Sequence, residues 1–221
     1  MEDVTELGLI VEGHGEMSAV PVLVRRVAAW LDPDLVLNAL RPHRVPRGKL
    51  VKREELQRAV EYVARAAGPG APILVLLDAD DDCAARVGPR LLSWAGEQRS
   101  DRAIGVVMAT CAYEAWFIAA AASLSGARGM PQGLVPPPDP EGRRYPKGWL
   151  DERLPRGYSE TVDQPALTAV FALEQACAAS SFRKLVRDLA RLLDRPVPTP
   201  ALQGQAAGDR PRAGLPSDRR G

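Results

Sequence analysis

The run "ILVLL", Ile73 to Leu77, narrows most sharply what this chain can become. It is continuously apolar, preceded by the breaker "GPGAP" and followed at once by "DADDD". Apolar residues in unbroken succession fit a strand covered on both faces, the condition of a parallel sheet flanked by helices. Strand-like and helix-like stretches alternate around it. "LGLIV" (Leu7 to Val11) leads into a helical pattern with Val20, Leu23, Val24, Val27 and Leu31 on one face. Pro21 fits if that helix starts near Ser18, because a first-turn proline gives up no intrahelical bond. "LVLNAL" reads as a second strand, followed by a basic loop, "RPHRVPRGK", and a helix from Arg53 to Ala67. A helix from Ala84 to Glu97, a strand in "AIGVVMAT" and a helix in "YEAWFIAAAASL" complete the alternation. The expected fold class is α/β: a doubly wound, Rossmann-like sheet of about four parallel strands, with C-terminal helices.

The regularity predicts an α/β core over residues 1–125 and a Pro/Gly/Arg-rich insertion over 126–160. Helices over 161–195 ("QPALTAVFALEQACA" and "SFRKLVRDLARLLD") should pack on that core, and 196–221 should be a disordered tail. A length of 221 residues suits one domain with a sizeable core, and 46% hydrophobic with 26% charged residues is ordinary for a soluble globular protein. The net charge of +1 excludes a global basic field, so any nucleic-acid surface must be local. Cys83, Cys111 and Cys177 are far apart, and His14 and His43 lack zinc-ligand spacing; reduced thiols and no zinc are expected. "MEDVTELGLIVEG" is acidic with a short apolar run, unlike a secretory signal, and no stretch reaches transmembrane length. A cytoplasmic protein without a membrane partner is the expectation.

Asp78, Asp80, Asp81 and Asp82 crowd four carboxylates against the end of the buried strand. Two ionised carboxylates ~5 Å apart repel by about 3 kcal/mol at an effective dielectric of ~20, so solvent, a basic partner, protonation or a cation must offset them. Ligands of open parallel sheets sit beyond the carboxyl ends of the strands, where Glu12 and Glu16 also fall. On an extended strand end Asp78 and Asp80 point the same way. Gly13 and Gly15 allow a tight turn with positive φ and close approach to a ligand. Oxygen-only donors suit Mg²⁺ or Mn²⁺. The bland alternative is a solvated acidic turn capping the next helix, the natural reading of Asp81 and Asp82. "GHGEMS" also reads as a truncated dinucleotide fingerprint, lacking its third glycine at Ser18.

"LIVEGHGE", followed some sixty residues later by "VLLDADDD", resembles the Toprim fold of topoisomerases, primases and the overcoming-lysogenization-defect nucleases. That resemblance implies a metal site in which Glu12 is the glutamate after the first strand and Asp78 and Asp80 are the DxD pair. Glu16 is similar to the second acid of the nuclease branch. "YEAWF", "YSETVDQPAL" and "SFRKL" extend the likeness, over residues 7–193, to a small bacterial family known only as a domain of unknown function. Its resemblance implies a setting in phage defence or DNA processing, with a co-encoded ATPase as partner.

Other residues carry two readings each. Glu114 is either part of a second metal site or a first-turn acid favourable to the helix dipole. His14 is a loop residue or a general base, and Lys184 a solvated cation or, by family likeness, a phosphate contact. In "GRRYPKGW", Arg143, Arg144 and Lys147 surround Tyr145 with Trp149 behind, which fits a nucleic-acid-binding loop or a surface segment docking a protein. Tyr113 lies near the sheet edge, but attack by water is expected rather than a covalent tyrosine. The expected function is Mg²⁺- or Mn²⁺-dependent phosphodiester hydrolysis on nucleic acid, with Glu12, Glu16, Asp78 and Asp80 as catalytic acids. Its rivals are a catalytically idle binding subunit for the ATPase and an enzyme acting on a soluble nucleotide.

Overall fold

A computed structural model describes residues 4–142 and 145–202. The central strands are β1 (Thr5–Val11), β4 (Ile73–Asp78) and β5 (Ile104–Ala109), with β2 (Leu37–Ala39) and β3 (His43–Arg44) on the far side of β1. All pairings are parallel, in the order β2-β1-β4-β5. β3 continues the edge that β2 begins: β2 pairs with Thr5 to Leu7, and β3 pairs with Ile10 and Val11. Pro42 lies in the gap, where its missing N–H cannot serve a ladder. The expected basic loop therefore holds a strand and a helical turn, α2 (Arg47–Leu50), before α3 (Arg53–Ala66).

β4 is buried along its whole length, and its residues alternate between two apolar layers. Leu74 and Leu76 join Leu9, Val11 and Val107 against α1 (Glu16–Leu31) and α9 (Ser180–Leu192). Ile73, Val75 and Leu77 join Ile10 and Val106 against α3 and α4 (Ala84–Gln98). The fold is thus a doubly wound, Rossmann-like α/β sheet. Gly8 lets α3 sit close, because a Cβ there would fall 2.5 Å from Val63 Cγ1.

Several elements depart from expectation for local reasons. α1 begins at Glu16, so Pro21 lies in its second turn and removes the N–H that would meet the Met17 carbonyl. The stretch expected as one helix near residues 164–178 is two: α7 (Asp163–Thr168) and α8 (Leu173–Ala176). The Arg26 guanidinium donates to the Thr168 carbonyl at 2.7 Å and the Ala172 amide donates to Ser123 Oγ at 3.0 Å. Side chains thereby replace the helical bond that would have joined the halves. α5 (Glu114–Ala119) passes into a 3₁₀ turn, and α6 (Pro146–Asp151) lies inside the expected insertion. Met130, Trp149, Leu150 and Leu154 of that insertion belong to the core, so it is no solvent-facing loop at those positions. The expected disordered tail begins ordered: α10 (Thr199–Leu202) packs Ala201 under α9, and Arg187 donates to its carbonyl at 3.2 Å. Residues 203–221 lie outside the described residues.

β5 is the outer strand, and α9 closes its edge. Lys184 Nζ donates to the Val106 carbonyl at 2.9 Å and Arg191 Nη2 to the Ile104 carbonyl at 2.7 Å. These are alternate, outward carbonyls of an edge that would otherwise invite another strand. Lys184 also pairs with Asp188 while staying partly exposed. Among the described residues no helix is long and apolar enough to cross a membrane.

Candidate functional site

β1 and β4 are neighbours whose onward connections run to opposite edges of the sheet, which makes the crevice between their carboxyl ends the topological switch point. Glu12 leaves the end of β1 and Asp78 is the last residue of β4. The Asp78 amide donates to Glu12 Oε2 at 3.2 Å, tying the strand ends together. Glu16, at the start of α1, folds back so that Oε2 accepts the amides of Glu12 and Gly13, both at 2.9 Å. Asp78 Oδ1 accepts the Tyr113 amide at 2.8 Å. Glu114, fully buried at the start of α5, accepts the Tyr158 hydroxyl at 2.8 Å and the Gln164 amide at 3.4 Å through Oε1.

One pattern runs through all four acids. Each is anchored through a single oxygen, and among the described residues no donor meets the other. For Glu114 that second oxygen, Oε2, is buried as well as unpartnered, as is Gln164 Oε1 beside it. Such orphans are rare in folded proteins and mark a missing proton, water or ion.

The titration behaviour follows from this crowding. Burial pushes the Glu12 carboxyl up to about 7, against the Asp78 amide, which lowers it, and with Asp80, which adds repulsion. Burial likewise pushes Glu16 up to about 8, opposed by the Gly13 amide and reinforced by Glu12. Asp78 is raised well above the carboxylate range by burial, then by Glu16, Glu114 and Glu12. Burial raises Glu114 too, while Lys147 and the Tyr158 hydroxyl pull it back. Four acids that resist ionisation at one crevice are a functional-site signature.

Two cations border them. Lys147 loses by burial, yet Glu114 and Glu160 hold its ammonium above the ordinary lysine range, and it pairs with Glu160. Arg47 donates Nε to the Asp78 carbonyl and Nη2 to the Ala79 carbonyl, both at 3.0 Å, and pairs with Asp80 and Asp82. A crevice of about 250 Å³ opens between Asp78, Asp80, Cys111, Tyr145 and Lys147. Its mouth is strained: Asp80 (φ 50°) and Cys111 (φ 62°) are both left-handed and bridge each other, with the Asp80 amide on the Cys111 carbonyl at 3.0 Å.

The structure brings Glu12, Glu16, Asp78 and Glu114 together, while Asp80 lines the exposed mouth of the same crevice. Beyond the strand end the backbone turns left-handed, so Asp80 is exposed and faces Arg47 rather than continuing the alternation from Asp78. Among the described residues no group of three His, Cys, Asp or Glu side chains stands arranged to hold a metal ion. Neither Asp81 nor Asp82 caps α4, whose first turn has no side-chain cap. Neither Gly13 nor Gly15 takes positive φ. Gly15 serves close approach instead: a Cβ would collide with Gln164 Oε1 and the Glu160 carbonyl of the segment that brings Tyr158.

His14 is exposed on the turn. Tyr113 is fully buried with its hydroxyl on Thr168, and burial raises its phenol, so it is no nucleophile. Arg143 and Arg144 lie outside the described residues. Lys147 pairs with Glu160 at the crevice while staying partly exposed, and Trp149 is buried under Arg153 rather than open to bases. Arg47, Tyr158 and Gln164 were not singled out by the sequence; the only signal was the position of the last two inside "YSETVDQPAL". Comparison of the chain with family models, curated proteins and solved structures gives no match.

Proposed function

We propose that this protein is a Mg²⁺- or Mn²⁺-dependent phosphodiester hydrolase of the Toprim-like nuclease branch, acting on nucleic acid. The observation that carries the reading is the set of four singly anchored carboxylates at the switch point, with the Glu114 Oε2 orphan among them. Hard, oxygen-only donors with one fixed and one open oxygen each fit a hard divalent cation, which typically takes only one or two protein carboxylates and keeps several waters. Glu12 and Asp78 are the residues that would hold it, with Glu16 and Glu114 behind them. Asp80 joins only on leaving Arg47. When bound, the cation would polarise a phosphoryl oxygen and acidify a water.

The chain's own groups supply the rest. Glu12 has two alternative roles: ligand to the cation, or, at about 7 in the metal-free site, the group that passes a proton near neutral pH. Lys147 and Arg47 flank the crevice with positive charge where a phosphate would enter. The Tyr158 hydroxyl holds Glu114 in place. A second reading, the idle subunit of a co-encoded ATPase, is favoured by Lys147, whose ammonium already offsets part of the negative charge.

The deciding experiment is thermal unfolding with Mn²⁺ combined with a cleavage assay. A ligand selective for the native state raises Tm, so Mn²⁺ at about 100 Kd should add roughly 2.7 kcal/mol. Asp78→Asn should abolish that rise. A Tm rise with no cleavage of DNA or RNA, with or without the neighbouring ATPase, would favour the idle subunit. An unchanged Tm in millimolar Mn²⁺ would remove the metal reading.

A further inference from the structure

The basic stretch before α3 was the least explained part of the sequence, and the fold places it beside the crevice. Residues 41–53 carry six cations (Arg41, Arg44, Arg47, Lys49, Lys52, Arg53) and no carboxylate, in a chain whose net charge is only +1. Arg47 is committed to Asp80 and Asp82, and Arg53 to Glu97. Arg41, Arg44, Lys49 and Lys52 make no ion pair among the described residues, and Arg41, Lys49 and Lys52 are exposed. Two grooves run along this edge, of about 500 and 390 Å³, and share His43, Arg44 and Tyr62. The first adds Arg41 and Pro42, the second Lys49 together with the Arg58–Glu55 ion pair. Between them the His43 and Tyr62 rings stack with centroids 4.4 Å apart and a 33° tilt, while Tyr62 stays 60% exposed.

We propose that the β3 edge, from Arg41 to Lys49 with the His43–Tyr62 pair at its centre, is a binding track for single-stranded nucleic acid that delivers a phosphodiester to the carboxylate crevice. The Tyr62 ring has the unpaired cations Arg41, Arg44 and Lys49 on its β3 side, with Glu54, Glu55 and Glu61 on its α3 side. An open ring beside free cations matches the stacking platform and charged groove by which single strands are held. A duplex keeps its base faces inside and has no use for the ring. Burial holds His43 below its ordinary value, so at neutral pH it backs Tyr62 as a neutral ring, not as a further cation. The track is continuous with the site: Arg44 Nη1 donates to the Glu12 carbonyl at 3.2 Å, and Arg47 grips the Asp78 and Ala79 carbonyls. This deepens the hydrolase reading and rests on it for the role of the track, though not for the binding itself.

The test is fluorescence anisotropy with a labelled oligothymidine of about twelve nucleotides, in EDTA so that no cleavage intervenes. The single strand should bind more tightly than the matching duplex. Tyr62→Ala should weaken it about 10-fold while Tyr62→Phe preserves it, since the ring and not the hydroxyl is used. Arg41→Ala with Lys49→Ala should flatten the log–log salt slope by about 1.4, at roughly 0.7 for each lost phosphate contact on a single strand. These exposed positions should leave the fold unchanged by circular dichroism.

Failure of the wild type to bind in EDTA, or equal affinity of wild type and Tyr62→Ala, would overturn the track. So would binding of a polyglutamate peptide in place of the oligonucleotide through Arg41 and Lys49, which would assign the edge to an acidic protein partner. Intact binding without Mn²⁺-dependent cleavage would overturn the hydrolase reading and leave the track standing.

Discussion

Charge is handled in opposite ways at the outer edge of β5 and at the crevice between β1 and β4. At the edge, Lys184 and Arg191 each reach an otherwise open carbonyl, and Lys184 has Asp188 as well. Each of these cations has a partner, and two outward carbonyls of the edge are covered. At the crevice, burial first and neighbouring carboxylates second push four acids toward protonation, and among the described residues a fully buried oxygen of Glu114 has no partner. The same chain that settles charge where it needs only stability leaves it unsettled at the one place where the topology puts ligands. Unsettled charge costs stability, and it persists where a proton or cation is meant to come and go.

The sharpest way to break this contrast is through activity. Glu12→Gln keeps the Asp78 amide bond available but removes the group that titrates near 7. Metal-dependent cleavage should fall by about 10²–10⁴-fold, the worth of a positioned acid or base, with circular dichroism unchanged. Lys184→Met, at the other edge, should leave cleavage unaltered. Equal losses in both variants would mean that the two sets of charges do not divide into chemical and structural ones.

A smaller effect, in pH dependence, follows from the raised acids. Glu12 titrates near 4.5 unfolded and about 7 folded, and Glu16 near 4.5 and about 8. The folded state therefore holds more protons across that window, so the stabilisation is complete below 4.5 and is lost as pH climbs through 7 and 8. His43, lowered from 6.5 by burial, acts in the opposite sense below that pH. Asp32, Glu61 and Asp101, all held low by hydrogen bonds, affect only the acid side of the window. Unfolding in EDTA should thus show Tm falling as pH rises from 6.5 to 8, clear of His43, with the slope easing as Glu12 and then Glu16 finish ionising, by about 5 °C. Saturating Mn²⁺ should shrink the fall, because the cation offsets the charge that appears. A Tm that rises over the same interval would mean that the acids are settled by partners after all.

The contrast also explains what the sequence made legible. β4 was readable because an unbroken apolar run between breakers has few other uses, and Glu12 and Asp78 followed from the rule that strand ends carry ligands. β3 was not, since two residues form a strand only because β1 outruns β2 and offers Ile10 and Val11. The direction of Asp80 was not legible, because the left-handed turn after β4 comes with its bridge to Cys111, a partner on another strand end. Tyr158 and Gln164 act on Glu114 from 44 and 50 residues away, a closeness that only the folded chain creates. Lys147 stood out in the sequence through its basic neighbours, but its pairing with Glu160 beside the acids appears only in the folded chain.

The smallest expected effect sharpens the structural side. Lys184→Met keeps much of the aliphatic stem that packs beside β5 but removes the ammonium from the Val106 carbonyl and from Asp188. A charged hydrogen bond to a backbone carbonyl is worth somewhat more than a neutral one, but Lys184 is 40% exposed and solvent takes back part of it. The loss should be about 1 kcal/mol, or about 2–4 °C in Tm for a domain of this size. Two features identify the origin of that loss. The fall in Tm between 6.5 and 8 and the rise with Mn²⁺ should both match the wild type, because nothing at the crevice has changed. The variant should also self-associate more readily at high concentration, since an uncovered carbonyl on an edge strand is an invitation to pair. A Lys184→Met protein whose Mn²⁺ response disappears would instead show that the β5 edge and the crevice are coupled, and that α9 helps to set the spacing of the acids across β5 and β4.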